Sequence, residues 1–303
     1  MNLDTIPSQL FTVRKKMKQL MKSLILVSLC SAMTACFQSK QDYTVNPDSS
    51  GKVVVQNTID LATNPFGGGG KVNTKELAKK AVEDFLANPS IEAWKDVSCE
   101  IKDNKLIIKG TGYFTNVTKV DFMPKGPKKS GGNENELAFE KQEDGSLKLY
   151  FKPEKKDAEA KELTDAEVDT QYKQEKEQYA MFKSMITMMK IDELKVEQNY
   201  SFSGTITKNT VYKKNENGSY GLIISGAAIL KANDEFMNDE KAFKASLKTG
   251  TQESIRSKKM FGSDETPILV IKDAKSSFDY KKEMEAAKAN MEDMKKKVLE
   301  SIK

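Results

Sequence analysis

No histidine occurs anywhere in the 303 residues. That removes the commonest general base, the Ser-His-Asp and Cys-His arrangements, and the usual zinc and copper sites. Cysteine is scarce, with Cys30, Cys36 and Cys99 as the whole supply. No apolar run reaches the roughly 20 residues that a membrane-spanning helix needs. A strong charge of one sign is missing too, since 49 Lys/Arg face 44 Asp/Glu. Five of those basic residues (Arg14, Lys15, Lys16, Lys18, Lys22) precede Cys36, against Asp4 alone, so the chain beyond Cys36 is close to neutral. No nucleic-acid partner follows from it, because such an interface needs a clustered basic surface.

The motifs that tempt a catalytic or cofactor reading also fall short. The run Gly67-Gly68-Gly69-Gly70-Lys71 lacks the first glycine of a phosphate loop, with Pro65 in its place, and Val72 stands where Ser or Thr is needed. Asn215-Glu216-Asn217-Gly218 has neither the leading aspartate nor the closing glutamate of a calcium loop. Ser49 and Lys52 have Ser-x-x-Lys spacing but lie in a turn rather than at the start of a helix. The carboxylate pairs Asp165/Asp169 and Asp239/Glu240 sit among lysines, as on a solvated face. No catalytic residue, metal ligand or cofactor is nominated, and the balance leans away from an enzyme.

What is present begins with an address. The five basic residues run into apolar residues 24–29, then Ser31-Ala32-Met33-Thr34-Ala35, then Cys36. Basic, apolar and small segments in that order make a secretory signal peptide covering residues 1–35. Cys99 alternates with Val97 and Ile101, which predicts a buried strand position. Met33-Thr34-Ala35-Cys36 resembles the lipobox of bacterial lipoproteins. The resemblance implies lipid on the Cys36 thiol, cleavage before it, and a membrane partner through that lipid. Phe37 in place of an aspartate is similar to lipoproteins of the outer membrane, where a cell has one. The run from Tyr43 through Asn46-Pro47-Asp48-Ser49-Ser50-Gly51 to Val55 resembles the opening of LppM-type bacterial lipoproteins, and Asn199-Tyr200-Ser201-Phe202 a later strand of that group. It implies an α+β envelope lipoprotein and supplies no catalytic residues.

Along the rest of the chain, residues 36–42 are polar and predict a short tether. Residues 43–46 and 52–58 predict a hairpin, as do 97–101 with 106–114 and 137–141 with 147–151. Residues 117–123 extend the second of these. Asn73 caps a helix whose stripe is Leu77, Ala78, Ala81, Val82, Phe85 and Leu86. Thr164 and Glu167 have capping-box spacing and open a long helix over about 164–191, with a C-terminal helix over about 279–302. A second strand-rich block covers 196–207, 210–213 and 220–230, a short helix 238–248, and a strand 267–272. The fold class is α+β: antiparallel meanders packed by amphipathic helices. They form one domain over 43–303, or two halves, 43–153 and 192–278, joined by a helix over 154–191.

Three functional readings follow. The first is a membrane-anchored, non-enzymatic binding or assembly module of the envelope. The second is a carrier holding an apolar ligand between the sheet and the face formed by Phe182, Met185, Ile186 and Met189, a soft methionine-rich stripe. The third is a carboxylate-dependent envelope hydrolase. The seam of Tyr280, Met284, Ala287, Met291, Met294 and Val298 repeats in steps of four and three, either docking on its own domain or pairing a homodimer.

Overall fold

The computed structural model describes residues 37–61, 73–122, 137–152, 163–188, 190–263 and 265–302; Cys36, the signal segment and the glycine run lie outside them. The expected class holds: among the described residues seven α-helices pack on one sheet of ten strands, α+β in organisation. The strands are β1 (Phe37–Val45), β2 (Gly51–Asp60), β3 (Ala93–Lys102), β4 (Lys105–Phe114), β5 (Leu137–Lys141), β6 (Leu147–Phe151), β7 (Lys195–Thr210), β8 (Lys213–Lys214), β9 (Tyr220–Ser225) and β10 (Ile268–Lys275). Their order is β3-β4-β2-β1-β7-β10-β6-β5, with β9 also beside β7 and β8 beside β9. The pairs are antiparallel except β1 with β7.

That order corrects two expectations. Residues 37–42 are no tether: they belong to β1, whose Phe37, Ser39, Gln41, Tyr43 and Val45 are all buried. Their polar composition misleads because Ser39 and Gln41 find partners inside. Nor are there two halves. The hairpin β5–β6 joins the sheet through β10, and β1 through β7, so the two strand-rich blocks share one sheet. β7 makes this possible: at 16 residues it pairs β1 and β9 with its first part and β10 with its second.

Three hairpins turn the same way. In residues 46–50, 142–146 and 215–219 the first residue's N–H donates to the fifth residue's carbonyl at 2.8 Å. The third residue, Asp48, Asp144 or Asn217, accepts from both the N–H and the Oγ of the serine two places on. This is an Asx turn, a local substitute for a backbone turn. The fourth residue must adopt positive φ, and it is Ser49, Gly145 or Gly218.

The helices are α1 (Thr74–Leu86), α2 (Asp165–Met188), α3 (Gly226–Asn238), α4 (Glu240–Thr249), α5 (Gln252–Phe261), α6 (Tyr280–Ala289) and α7 (Met291–Glu300). Asn73 caps α1 through the Lys75 N–H, and Phe85 lays its ring 4.3 Å from that of Trp94. Gly110 and Gly112 make room for Trp94: a Cβ on Gly112 would sit 3.0 Å from Ile91 and 3.1 Å from the indole. The Thr164/Glu167 capping box forms in both directions at the start of α2. The expected strand over 220–230 stops at Ser225, whose Oγ accepts from Ala228 N–H and starts α3 instead. Residues 117–119 form a short 3-10 turn capped by Asn116 rather than a further strand. α5 was not legible as a helix.

The expected C-terminal helix is two, broken at Asn290. The break has a purpose in packing. Neighbouring strand residues point to opposite faces. Ala287 packs with Ala93 and Tyr113 on one face of β3 and β4, while Val298 joins Trp94, Val97 and Ile108 on the other. The chain therefore wraps the edge strand β3. The four- and three-step seam of Tyr280 to Val298 is spent on both faces of this chain's own sheet.

Candidate functional site

The sequence nominates two places. Cys36 lies outside the described residues, but its neighbour Phe37 is 3% exposed at the start of β1. Phe37 packs with Ile186, Leu194 and Val196, and Phe182, Ile59, Ile224 and Leu230 close around them. So Phe182 and Ile186 of the nominated helix face meet the residue next to Cys36. The side chains of Met185 and Met189 lie outside the described set. Met181, one residue from Phe182, is 68% exposed. The other side of α2 carries a shallow, open hollow lined by Ala180, Lys183, Ser184 and Thr187, with no enclosure to hold an apolar ligand.

Behind this cluster the inner face of β1 carries a polar chain. Ser39 Oγ donates to Asn57 Oδ1 at 2.7 Å, and Gln41 Nε2 to Ser39 Oγ at 2.8 Å. Tyr43 OH and Gln198 Nε2 both donate to Gln41 Oε1, at 2.7 and 3.2 Å. A network satisfied in this way specifies register more than it offers reactivity. Tyr43 and Tyr200 stack with ring centres 4.9 Å apart, and burial pushes both phenols well above their usual pKa.

The outer face of the same strands is open. Across it, in register, run Ser98, Lys109, Gln56, Lys40, Glu197 and Ile223, and in the next row Glu100, Ile107, Thr58, Gln38, Lys195 and Ser225. Most of these are exposed, and among the described residues α6 covers the far end, where it meets Tyr113 and Lys52. Lys40 approaches Asp42 at 3.9 Å and Lys195 approaches Glu197 at 3.5 Å, both loose surface pairs. Asn199 bridges Asp42 and Glu197 from beneath, at 2.7 and 3.1 Å. This face went unremarked in the sequence, although the polar alternation Gln38, Lys40, Asp42 and Lys105, Ile107, Lys109 is its signal.

Two further polar clusters hold helices in place. Glu283 Oε2 receives Lys52 Nζ at 2.9 Å and Tyr113 OH at 3.0 Å, and Lys52 also sits 4.2 Å over the Phe278 ring. The Lys52 hydrogen bond holds the Glu283 carboxyl below its usual range, while burial and Glu283 push Tyr113 up to about 12. In the helical layer, Gln171 donates to the buried Glu175, whose pKa burial raises although Arg256 opposes the shift. Tyr179 and Lys183 both donate to Asp234.

The remaining sequence candidates are accounted for locally. Lys248 and Lys244 bind Asp165 and Asp169, and Asp239 caps α4. Ser49 and Lys52 point to different partners, the Thr115 carbonyl and Glu283. Cys99 is a free thiol, partly buried, 3.7 Å from the Val298 carbonyl. Among the described residues no group of three or more His, Cys, Asp or Glu is arranged to hold a metal, and no helix is long and apolar enough to cross a membrane. Compared with known proteins, the chain matches no family model, no curated protein and no solved structure.

Proposed function

We propose that this protein is a bacterial envelope lipoprotein, acylated on Cys36, that works as a non-enzymatic binding or assembly module. The observation that carries the reading is the position of Phe37. The order of basic, apolar and small residues that reads as an export signal ends at Cys36. Phe37, the very next residue, is buried in β1. Cleavage before Cys36 then leaves one residue ahead of β1. Two or three acyl chains, at ~0.8 kcal/mol for each buried CH₂, make a lasting anchor.

The open outer face suits the module role, because a rigid sheet presents Gln38, Lys40, Gln56 and Lys109 without paying to order them. An envelope protein is the partner this face fits. The packing of Phe182 and Ile186 against Phe37, Leu194 and Val196 fills the described part of the space that a ligand carrier would need empty.

Mass spectrometry of the native protein, extracted in detergent beside a Cys36→Ala variant, tests the anchor. The expected mature amino terminus is an acylated Cys36, with the variant unprocessed. Retention of residues 1–35 together with a bare Cys36 thiol would overturn the reading. Photo-crosslinking from Gln56 on intact cells then tests the module role, the expected result being one discrete envelope partner.

A further inference from the structure

Asparagine is followed by glycine at one place in the sequence, Asn217-Gly218. The pair is exposed in the turn between β8 and β9, the last of the Asx turns. The turn at 142–146 is its near twin, Gln142-Glu143-Asp144-Gly145-Ser146 against Asn215-Glu216-Asn217-Gly218-Ser219. In each, the first residue's N–H meets the fifth residue's carbonyl at 2.8 Å, and the glycine N–H meets the first residue's carbonyl at 3.0 Å. In each, one side-chain oxygen accepts from the serine N–H and Oγ. These distances are 3.0 and 2.6 Å on Asp144 Oδ1, and 3.1 and 2.7 Å on Asn217 Oδ1. The turn therefore has one geometry whether an acid or an amide stands third.

An amide in that place can react with its own backbone. The Gly218 nitrogen is close enough along the chain to add to Asn217 Cγ and close a cyclic imide. Negative charge then develops on Oδ1, where the Ser219 N–H and Oγ–H already point, and donors so placed stabilise an oxyanion. Gly218 has no side chain to resist the ring, and no described atom lies within 4 Å of where its Cβ would be. One contact opposes closure, the bond from the Gly218 N–H to the Asn215 carbonyl, which must be given up. Asn104 is the natural comparison, also exposed and in a hairpin turn, but followed by Lys105 rather than glycine.

We propose that Asn217 is a modification site, converting to aspartate in the folded protein through a succinimide with Gly218. The Gly218 nitrogen bonds to Asn217 Cγ, the Cγ–Nδ2 bond breaks, and ammonia leaves with the proton that the Gly218 nitrogen gave up. Water then adds to Cγ and the bond from Cγ to the Gly218 nitrogen opens. The water oxygen completes the carboxylate, and a hydrogen returns to Gly218. The Ser219 donors polarise the Cγ carbonyl and direct water there rather than to the main-chain carbonyl of the ring. Opening at the main chain would lengthen the backbone and break the closure from Asn215 to Ser219. The product turn reads Glu-Asp-Gly-Ser, as residues 143–146 already do, and its carboxylate keeps both serine bonds, now charge-assisted. The same bonds from Ser146 hold the Asp144 carboxyl below its usual range. An aspartate at 217 is thus ionised at neutral pH, and a negative charge appears beside the exposed Lys213 and Lys214 of β8. None of this depends on Cys36.

The test ages freshly made, folded protein in mildly alkaline buffer. Each asparagine is followed by peptide mass spectrometry, with electron-transfer fragmentation to tell aspartate from isoaspartate. The expected result is loss of Asn217 ahead of Asn104, with aspartate as the main product. Ser219→Ala should slow that loss by about tenfold, the weight of one good hydrogen bond to the developing charge. Asn217→Asp should unfold at the same urea concentration as wild type or a higher one. An Asn217 that outlasts Asn104, isoaspartate as the main product, or loss at an unchanged rate in folded Ser219→Ala overturns the proposal. So does a clear loss of stability in Asn217→Asp. The order of loss and the product are read on the wild-type chain, so they decide the matter even where Ser219→Ala fails to fold.

Discussion

Ser49 and Gly218 occupy the same place in two copies of one turn, and both hold positive φ, 69° and 83°. A side chain in that conformation costs roughly 1 kcal/mol or more, which glycine avoids at some cost in unfolded-chain entropy. The Ser49 hydroxyl returns little, since its bond to the Thr115 carbonyl is 3.4 Å long. Ser49→Gly is expected to stabilise the protein by about 0.5–1 kcal/mol and Gly218→Ala to destabilise it by about 1 kcal/mol. Urea unfolding checks both, and the absence of both effects would show that the turn's strain is absorbed elsewhere.

Glu283 joins α6 to the sheet. Its carboxylate is roughly one-third exposed, so solvent weakens the pair with Lys52, and Glu283→Gln should cost about 1 kcal/mol at pH 7. Tyr113→Phe should cost a similar amount, and the two losses should not add, because they share one oxygen. The folded carboxyl lies below its ordinary value of 4.5, so its contribution is complete above that pH and is lost as the pH falls through the depressed value. Thermal unfolding of wild type and Glu283→Gln should therefore converge in acid. A gap that persists there would mean the substitution acts through shape.

Glu175 has the opposite sign. Burial raises its pKa, so native and unfolded chains bind the proton alike at low pH, and the native state is penalised as the pH climbs past 4.5 toward the raised value. Glu175→Gln keeps an acceptor for Gln171 and removes that slope. The variant is expected to gain stability relative to wild type between acid and neutral pH. A relative loss over that interval would show that attraction from Arg256 outweighs desolvation.

Tyr212 packs edge-on against Tyr200 at 6.0 Å, with its hydroxyl buried and without a hydrogen-bond partner among the described residues. Burying an unpaired hydroxyl costs about 1–3 kcal/mol. Tyr212→Phe keeps the ring and should be neutral or stabilising by about 1 kcal/mol in urea unfolding. Any clear destabilisation would reveal a bound water or other partner at that oxygen.

Much of the fold was legible because its elements follow local rules. The period-two runs in β1, β2, β5 and β6 and the caps at Asn73 and Thr164 are written in adjacent residues. What was not legible is what distant segments decide. The pairing of β1 with a strand 157 residues further on rescues residues 37–42 from reading as a tether. The break at Asn290 answers to the edge of β3, not to any helix-breaking residue. Gly226 to Leu230 carries strand-like apolar residues, and only the Ser225 cap tips it toward helix. For the site, Phe182 and Ile186 were found because helical spacing marks a buried stripe. The outer face of the sheet escaped notice because facing positions emerge only once the register is known.

The parallel pairing of β1 with β7 also sets an order of assembly. The strand made first is the one whose second neighbour is made late. β1, β2, β4 and β3 can pair side by side from nearby residues, but one side of β1 stays bare until residue 195 and beyond have emerged. Contacts so distant in sequence close slowly. During that interval the middle of the future sheet is an unguarded edge, open to pairing with another unfinished chain. The newborn protein is thus at its most vulnerable to self-association midway through its own synthesis, and anything that delays the arrival of β7 prolongs that exposure.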